Sequence, residues 1–194
     1  MPSIACVILA AGEGRRAGGP KAFRTLADPV SGLPESFLSR VASVALAGGA
    51  WPVVAVVRPP DRFRAEAVAP PGLALVVNPD PSRGMLSSLG CGVDAIPPEA
   101  PGLLVFPVDH PEVLPETVAA LIEALRHDEG HPWRPCREGR CGHPVALPLA
   151  VARELPREDL PGGLAAWVRS RGLKWRDLPV PDPGILRNRN GPDP

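Results

Sequence analysis

The sequence predicts an α/β fold of three layers, with helices on both faces of a mostly parallel sheet. Three observations point there. Short runs rich in Val, Ile and Leu alternate with segments whose apolar residues recur every three or four positions. The short runs are apolar throughout, as strands buried on both faces are. The first of them runs straight into a glycine-rich turn, and sheets of this class hold ligands just beyond strand carboxyl ends.

In chain order, the strand candidates are Ile4–Leu9, Val53–Val57, Ala74–Val77 and Leu103–Val108. Between them lie helix candidates at Phe37–Leu46, Leu86–Ile96 and Val118–Leu125, with the spacing of amphipathic helices packed on a sheet. Pro115 and Glu116 stand where a helix start would place them. Proline loses no intrahelical bond there, and a carboxylate suits the positive end of the dipole. Strand and helix in alternation argue for parallel pairing. After Arg126 the pattern loosens: a polar stretch, HDEGHPWRPCREGRC, leads to a strand candidate at Pro144–Leu149. A helix candidate at Leu164–Arg169 and a strand candidate near Leu173–Val180 follow, and the tail 181–194 is expected to be irregular. No repeat or long linker interrupts the chain, so residues 1–194 are expected to form a single domain.

The composition excludes several function classes. Lys+Arg and Asp+Glu both total 21, so no global field draws the protein to nucleic acid or an anionic membrane. No apolar run is long enough to span a bilayer, and the first lacks the basic flank of a secretory signal. A cytoplasmic protein is expected. The 28 prolines and 20 glycines punctuate apolar segments and form no low-complexity tracts. Cys6, Cys91, Cys136 and Cys141 are expected to be reduced thiols in a chain with this much core and no secretory signal.

The most informative stretch is VILAAGEGRRAGGPKAF, from Val7 to Phe23. Small residues at Ala10, Ala11, Gly12 and Gly14 let backbone N–H groups approach an anion. Arg15, Arg16 and Lys21 supply mobile charge for phosphates. A Walker A loop would need Ser or Thr after the lysine, and Ala22 stands there. A dinucleotide fingerprint can be laid on Gly12, Gly14 and Ala17, but the second strand ends at Arg58 with no acidic residue for a ribose. A plain strand-to-turn junction is the remaining alternative.

Leu9, Ala10, Ala11, Gly12, Gly14, Arg16, Gly18, Pro20 and Lys21 match in register L-A-A-G-x-G-x-R-x-G-x-P-K. That pattern resembles the signature of nucleotidyltransferases that activate sugars, alcohols and pterin cofactors, with Ala17 where the family carries methionine. NPDPSRGMLSSLGCGVDAI, from Asn78 to Ile96, looks like an element of the molybdenum cofactor nucleotidyltransferases. VFPVDHP, from Val105 to Pro111, ends an apolar strand in Asp109, where a carboxylate is well placed for Mg²⁺ bridging phosphate oxygens. GRCGHPVAL resembles the segment that this group carries near its acceptor site, and NRNGPD resembles its closing element.

The resemblance implies a Rossmann-like, nucleotide-diphospho-sugar transferase-like sandwich that binds a nucleoside triphosphate, Mg²⁺ and a small phosphorylated acceptor such as molybdopterin. It implies catalytic roles for Lys21, Arg16 and Asp109, and nucleotide contacts from Leu9, Ala10, Ala11, Gly12, Gly14, Lys21, Asn78, Ser88 and Leu89. By the same likeness Asp109 and Asn190 would hold the metal, and His143 would touch the acceptor. Asn190 stands where the pattern has a second carboxylate, so its contact would be weaker. Ala10–Ala11 looks like the pyrimidine-using members, which favours CMP transfer over GMP transfer. A sugar-phosphate or alcohol-phosphate acceptor, a non-catalytic nucleotide binder and a dinucleotide-dependent oxidoreductase are the competing readings. His131, Cys136, Cys141 and His143 could be drawn as a zinc set, although their spacing matches no standard finger.

Overall fold

A computed structural model describes residues 3–14, 19–28 and 30–189. Its strands are β1 (Ala5–Leu9), β2 (Thr25–Ala27), β3 (Pro34–Ser36), β4 (Val53–Val57), β5 (Leu73–Val77), β6 (Gly102–Pro107), β7 (Trp133–Arg137), β8 (Arg140–Cys141), β9 (Val145–Pro148) and β10 (Arg176–Pro179). Its helices are α1 (Phe37–Ala47), α2 (Arg62–Val68), α3 (Met85–Asp94), α4 (Pro115–His127), α5 (Leu149–Arg153) and α6 (Gly163–Ser170). The main sheet runs β5-β4-β1-β6-β9-β7-β10, with β8 paired to β7, while β2 and β3 form a small hairpin. Among the central strands β5, β4, β1 and β6 every pairing is parallel, and β9 enters antiparallel beside β6.

Both faces of the sheet's centre are covered, which is why β1, β4 and β6 read as unbroken apolar runs. Cys6, Ile8, Val53, Ala55, Leu104 and Phe106 pack into one core with α1 and α4. Their neighbours Ala5, Val7, Val54, Val56, Leu103 and Val105 pack into the other, with α3, α5 and α6. The two-residue period of a strand divides the side chains between the layers. Gly92 on α3 lies so near the sheet that an added Cβ would sit 2.3 Å from Val7 Cγ1. The helix starts follow local chemistry. Ser36 Oγ accepts from Ser39 N at 3.1 Å to open α1, and Pro115 opens α4 as the sequence anticipates.

One local expectation needs correction, and two weakly patterned stretches take definite shape. The polar stretch after Arg126 holds β7 and β8, strands at the far side of the sheet whose residues are mostly polar or Pro and so carry no apolar run. The tail carries a 3₁₀ turn at Pro183–Leu186 within otherwise irregular chain through Arg189, and the buried Asp182 carboxylate fastens it to α4. Asp182 Oδ2 accepts from Leu114 N and Thr117 Oγ1, each at 2.8 Å, and its Oδ1 accepts from Gly184 N at 2.7 Å. Finally, Cys136 and Cys141 are not thiols but a disulfide. They are register partners across β7 and β8, joined by the tight turn Glu138–Gly139 with both residues at positive φ. Such pairing brings two side chains together on one face of a hairpin, and composition alone does not reveal it. Cys6, in the core, and Cys91, half-buried, are thiols. Among the described residues no helix is long and apolar enough to cross a membrane.

Candidate active site

Leu9 at the end of β1 is the register partner of Pro107 at the end of β6 and of Val56 on β4. The chains that leave these strands therefore start side by side. Ala10 N donates to Val56 O at 3.0 Å, and Val108 N donates to Leu9 O at 3.2 Å. Beyond them opens a cleft of about 780 Å³. Leu9, Ala11, Gly12, Gly14 and Lys21 form one wall, the β5–α3 corner with Gly84, Met85 and Ser88 a second, and Pro107, Val108 and Asp109 the third.

The turn is built on glycine where it has to be. Gly14 has φ +63°, and an added Cβ would lie 1.7 Å from Gly19 O. Gly19 N donates back to Gly14 O at 3.2 Å, which brings the two ends of the turn together. Gly12 is different: an added Cβ would meet no atom of the described residues within 4 Å, and Gly12 lines the cleft. Arg15, Arg16 and Gly18 lie outside the described residues.

Lys21 Nζ donates to Asp109 Oδ2 at 2.8 Å, joining the glycine turn to the end of β6. The two side chains are 25% and 14% exposed, so the pair faces the cleft without being sealed from water. An ammonium beside a carboxylate at this point can neutralise phosphate charge from one side and hold a cation from the other. The donor set fits Mg²⁺, which takes one or two carboxylates and completes its shell with water and phosphate oxygens. Asn190 lies outside the described residues, but its neighbour Arg189 donates its backbone N–H to Asp109 O at 2.9 Å.

Other expected residues are placed differently. Asn78 is buried behind the cleft wall, where its Nδ2 donates to Ser87 Oγ and Ser88 Oγ, each at 3.0 Å. Its Oδ1 accepts from Asp80 N at 3.0 Å. Asn78 thus fixes the first turn of α3, while Ser88 alone of this group reaches the cleft. Leu89 is fully buried in the core on the α3 face of the sheet, and Ala10 is buried in the core on the α1 and α4 face. His143 lines a second cavity of about 460 Å³, together with His110, Arg140, Trp175 and Asn188. Its ring centroid lies 5.0 Å from that of His110. Burial pushes the His143 imidazole down to about 4, helped by nearby His110 and opposed by Asp109. Burial likewise lowers His110, against the pull of Asp109. Both rings are neutral near pH 7, and His143 Nδ1 is buried with no bonded partner among the described residues.

The four residues of the zinc drawing do not converge. His131 pairs with Asp128 at 2.9 Å, His143 packs on His110, and the cysteines are bonded to each other. Sequence reasoning also missed Glu112, which accepts from Arg187 Nη1 at 2.7 Å and Arg189 Nε at 2.5 Å and ties the tail to the turn after Asp109. It missed Asp159, which accepts from Leu86 N at 2.9 Å at the start of α3. Neither acid sits in a motif, and only tertiary contact reveals either. His110 could have been read from Asp-His-Pro, where it directly follows the candidate metal ligand.

Residues 6–175 match the model of the MobA-like NTP transferase domain. Among solved structures, Rv0371c from Mycobacterium tuberculosis H37Rv is 24% identical over 92% of this chain and 88% of its own, with a TM-score of 0.75. The same protein in complex with manganese gives 0.72. Mth528, a nucleotidyl transferase from Methanothermobacter thermautotrophicus, is 21% identical over 97% of this chain and 92% of its own, with a TM-score of 0.76. The 4-diphosphocytidyl-2C-methyl-D-erythritol synthase of Anaerococcus prevotii is 13% identical over 97% and 91%, with a TM-score of 0.72. At these identities the likeness establishes the sandwich fold. No curated protein gives a significant match. With the family model spanning most of the chain, glycine turn and Asp109 included, the chain belongs to the MobA-like NTP transferase family and is a nucleotidyltransferase.

Proposed function

We propose that the enzyme transfers a nucleoside monophosphate, CMP in preference to GMP, from a nucleoside triphosphate to a small phosphorylated acceptor such as molybdopterin. The observation that carries this reading is the Lys21–Asp109 pair, which ties the glycine-turn wall of the cleft to the end of β6. The turn's backbone, Lys21 and Arg16 would hold the triphosphate. An acceptor phosphate oxygen attacks the α-phosphorus in line, a new P–O bond forms, and the bond to the β-phosphate oxygen breaks to release pyrophosphate. This chemistry needs positioning and charge neutralisation more than a protein nucleophile. Asp109, with Asn190 as a neutral second ligand, would hold Mg²⁺. When bound, that ion neutralises charge on the transferring phosphate. His143 would meet the acceptor from the second cavity, whose wall it lines as a neutral imidazole.

A sugar-phosphate or alcohol-phosphate acceptor is the second reading, supported by the fold shared with the Anaerococcus synthase. The first experiment is thermal unfolding with CTP, GTP, ATP, UTP and NADPH, each with and without Mg²⁺. A specific ligand at about a hundred times its Kd adds roughly 2.7 kcal/mol. Magnesium-dependent stabilisation by CTP that is lost in Lys21→Ala, followed by pyrophosphate release with an acceptor panel, is the expected result. Stabilisation by NADPH alone, or by no nucleotide, would refute the transferase reading.

A further inference from the structure

The Cys136–Cys141 disulfide adjoins the second cavity, whose wall Cys141 lines. Cys141, Gly142 and His143 follow one another along its wall, facing Trp175 and Ile185. Gly142 N donates to Pro135 O at 2.9 Å, next to Cys136, and His143 N donates to Ile185 O at 3.0 Å. The wall thus hangs between the disulfide hairpin and the docked tail. Gly142 has no slack: an added Cβ would sit 2.0 Å from Ile185 O.

The bond is poorly suited to a general stapling role. It closes a loop of four intervening residues between strands that already pair, so it removes far less chain entropy than a bridge between distant segments. What it constrains is local, namely the β7–β8 register and the wall that follows. Its accessibility is uneven. Cys136 is 9% exposed, whereas Cys141 is half-buried at the rim of the cavity. An external thiolate therefore reaches Cys141 Sγ first and expels Cys136 as the leaving thiolate.

We propose that Cys136–Cys141 is a reversible thiol–disulfide exchange site, and that its oxidation state sets the mobility of the His143 wall. The partner is a dithiol reductant. Its first thiolate attacks Cys141 Sγ, breaking the S–S bond, forming a mixed disulfide and releasing Cys136. Its second thiolate then attacks its own sulfur in the mixed disulfide and releases Cys141. Two electrons pass to the cysteines, the two reductant protons end on their thiols, and the reductant leaves as its own disulfide. Oxidised, the hairpin holds the wall in register. Reduced, it loosens the wall and weakens capture of a ligand in this cavity. The functional meaning rests on the acceptor reading above, whereas the exchange site itself does not.

The test uses the full chain oxidised with glutathione disulfide, then incubated with or without dithiothreitol. Native-state alkylation and peptide mapping should show Cys136 and Cys141 modified only after dithiothreitol, with Cys6 protected in both samples. Hydrogen exchange should then show the amides of Gly142 and His143 opening about tenfold faster in the reduced protein, with the Gly12–Gly14 segment unchanged. Cys136→Ser/Cys141→Ser should behave as the reduced protein whatever the reductant. Cysteines that alkylate in the oxidised sample, a bond that resists dithiothreitol, or equal exchange in the two states would each overturn the proposal. These readouts need no acceptor, so a failure of nucleotide binding is separable from a failure of the switch.

Discussion

Lys21 and Asp109 lie 88 residues apart in sequence and are joined by a 2.8 Å hydrogen bond at the mouth of the cleft. The pair is partly exposed, so its contribution to stability is small, about 1 kcal/mol or less. Its contribution to catalysis should be large, since charge placed where a phosphate reacts acts in the transition state. Asp109→Asn is expected to lower kcat by roughly a hundredfold or more while urea unfolding changes little. Steady-state pyrophosphate release and a denaturation curve on the same sample check both halves. Loss of stability with retained kcat would place Asp109 outside the chemistry.

The two glycines of the turn should respond in opposite ways. Gly12→Ala puts a methyl group where no described residue stands within 4 Å, on the wall of the cleft, so the fold should be kept and nucleotide affinity reduced. Gly14→Ala demands a left-handed residue and drives a methyl group into Gly19 O, so the turn itself must shift. Calorimetric titration of CTP beside melting curves distinguishes them. Tight binding by Gly12→Ala would show that the nucleotide does not use that space.

Acid should destabilise the protein through its buried histidines. His143 falls from 6.5 in water to about 4 in the fold, and His110 is lowered as well. Between those values the unfolded chain binds more protons than the folded one, so stability rises with pH in this window. The contribution is complete above about pH 6.5 and is lost as pH falls towards about 4, by roughly 3 kcal/mol for His143. Urea midpoints at pH 7.5 and pH 5 should therefore differ more for the wild type than for His143→Asn. Equal slopes would mean that the ring is solvated.

Asp182 should be the most sensitive residue of the tail. Its buried carboxylate satisfies Leu114 N and Thr117 Oγ1 at the start of α4, and Gly184 N in the tail. Removing it in Asp182→Ala strands three donors and is expected to cost roughly 3 kcal/mol. Because Arg189 N bonds to Asp109 O, the same change should also loosen the turn that carries Asp109. Chemical denaturation measures the first effect, and a fall in kcat in protein that remains folded measures the second.

Some of this architecture was legible because the physics that creates it is local. A strand buried on two faces must be apolar at every position, so β1, β4 and β6 stand out as runs, while the edge strand β5 is an apolar run that is only half-buried. A turn that approaches phosphate must be small, so Gly12 and Gly14 stand out as well. The run ending in Asp109 could be read for the same reason, because the apolar residues before it mark the strand end. Asn78 shows the limit: its motif named the corner, but the structure turns its amide away from the cleft to hold Ser87 and Ser88.

Residue order by itself determined the layers, the glycine turn and the side of the sheet on which a ligand would sit, because periodicity and steric demand act within a few residues. Tertiary structure decided what distant segments do to each other. It closed Lys21 on Asp109, folded the tail back through Asp182 and Glu112, paired Cys136 with Cys141, and set His110 against His143. Apart from the local Cys136–Cys141 hairpin, each of these joins segments distant in sequence. Their partners are selected by packing and desolvation, which no short window of sequence contains.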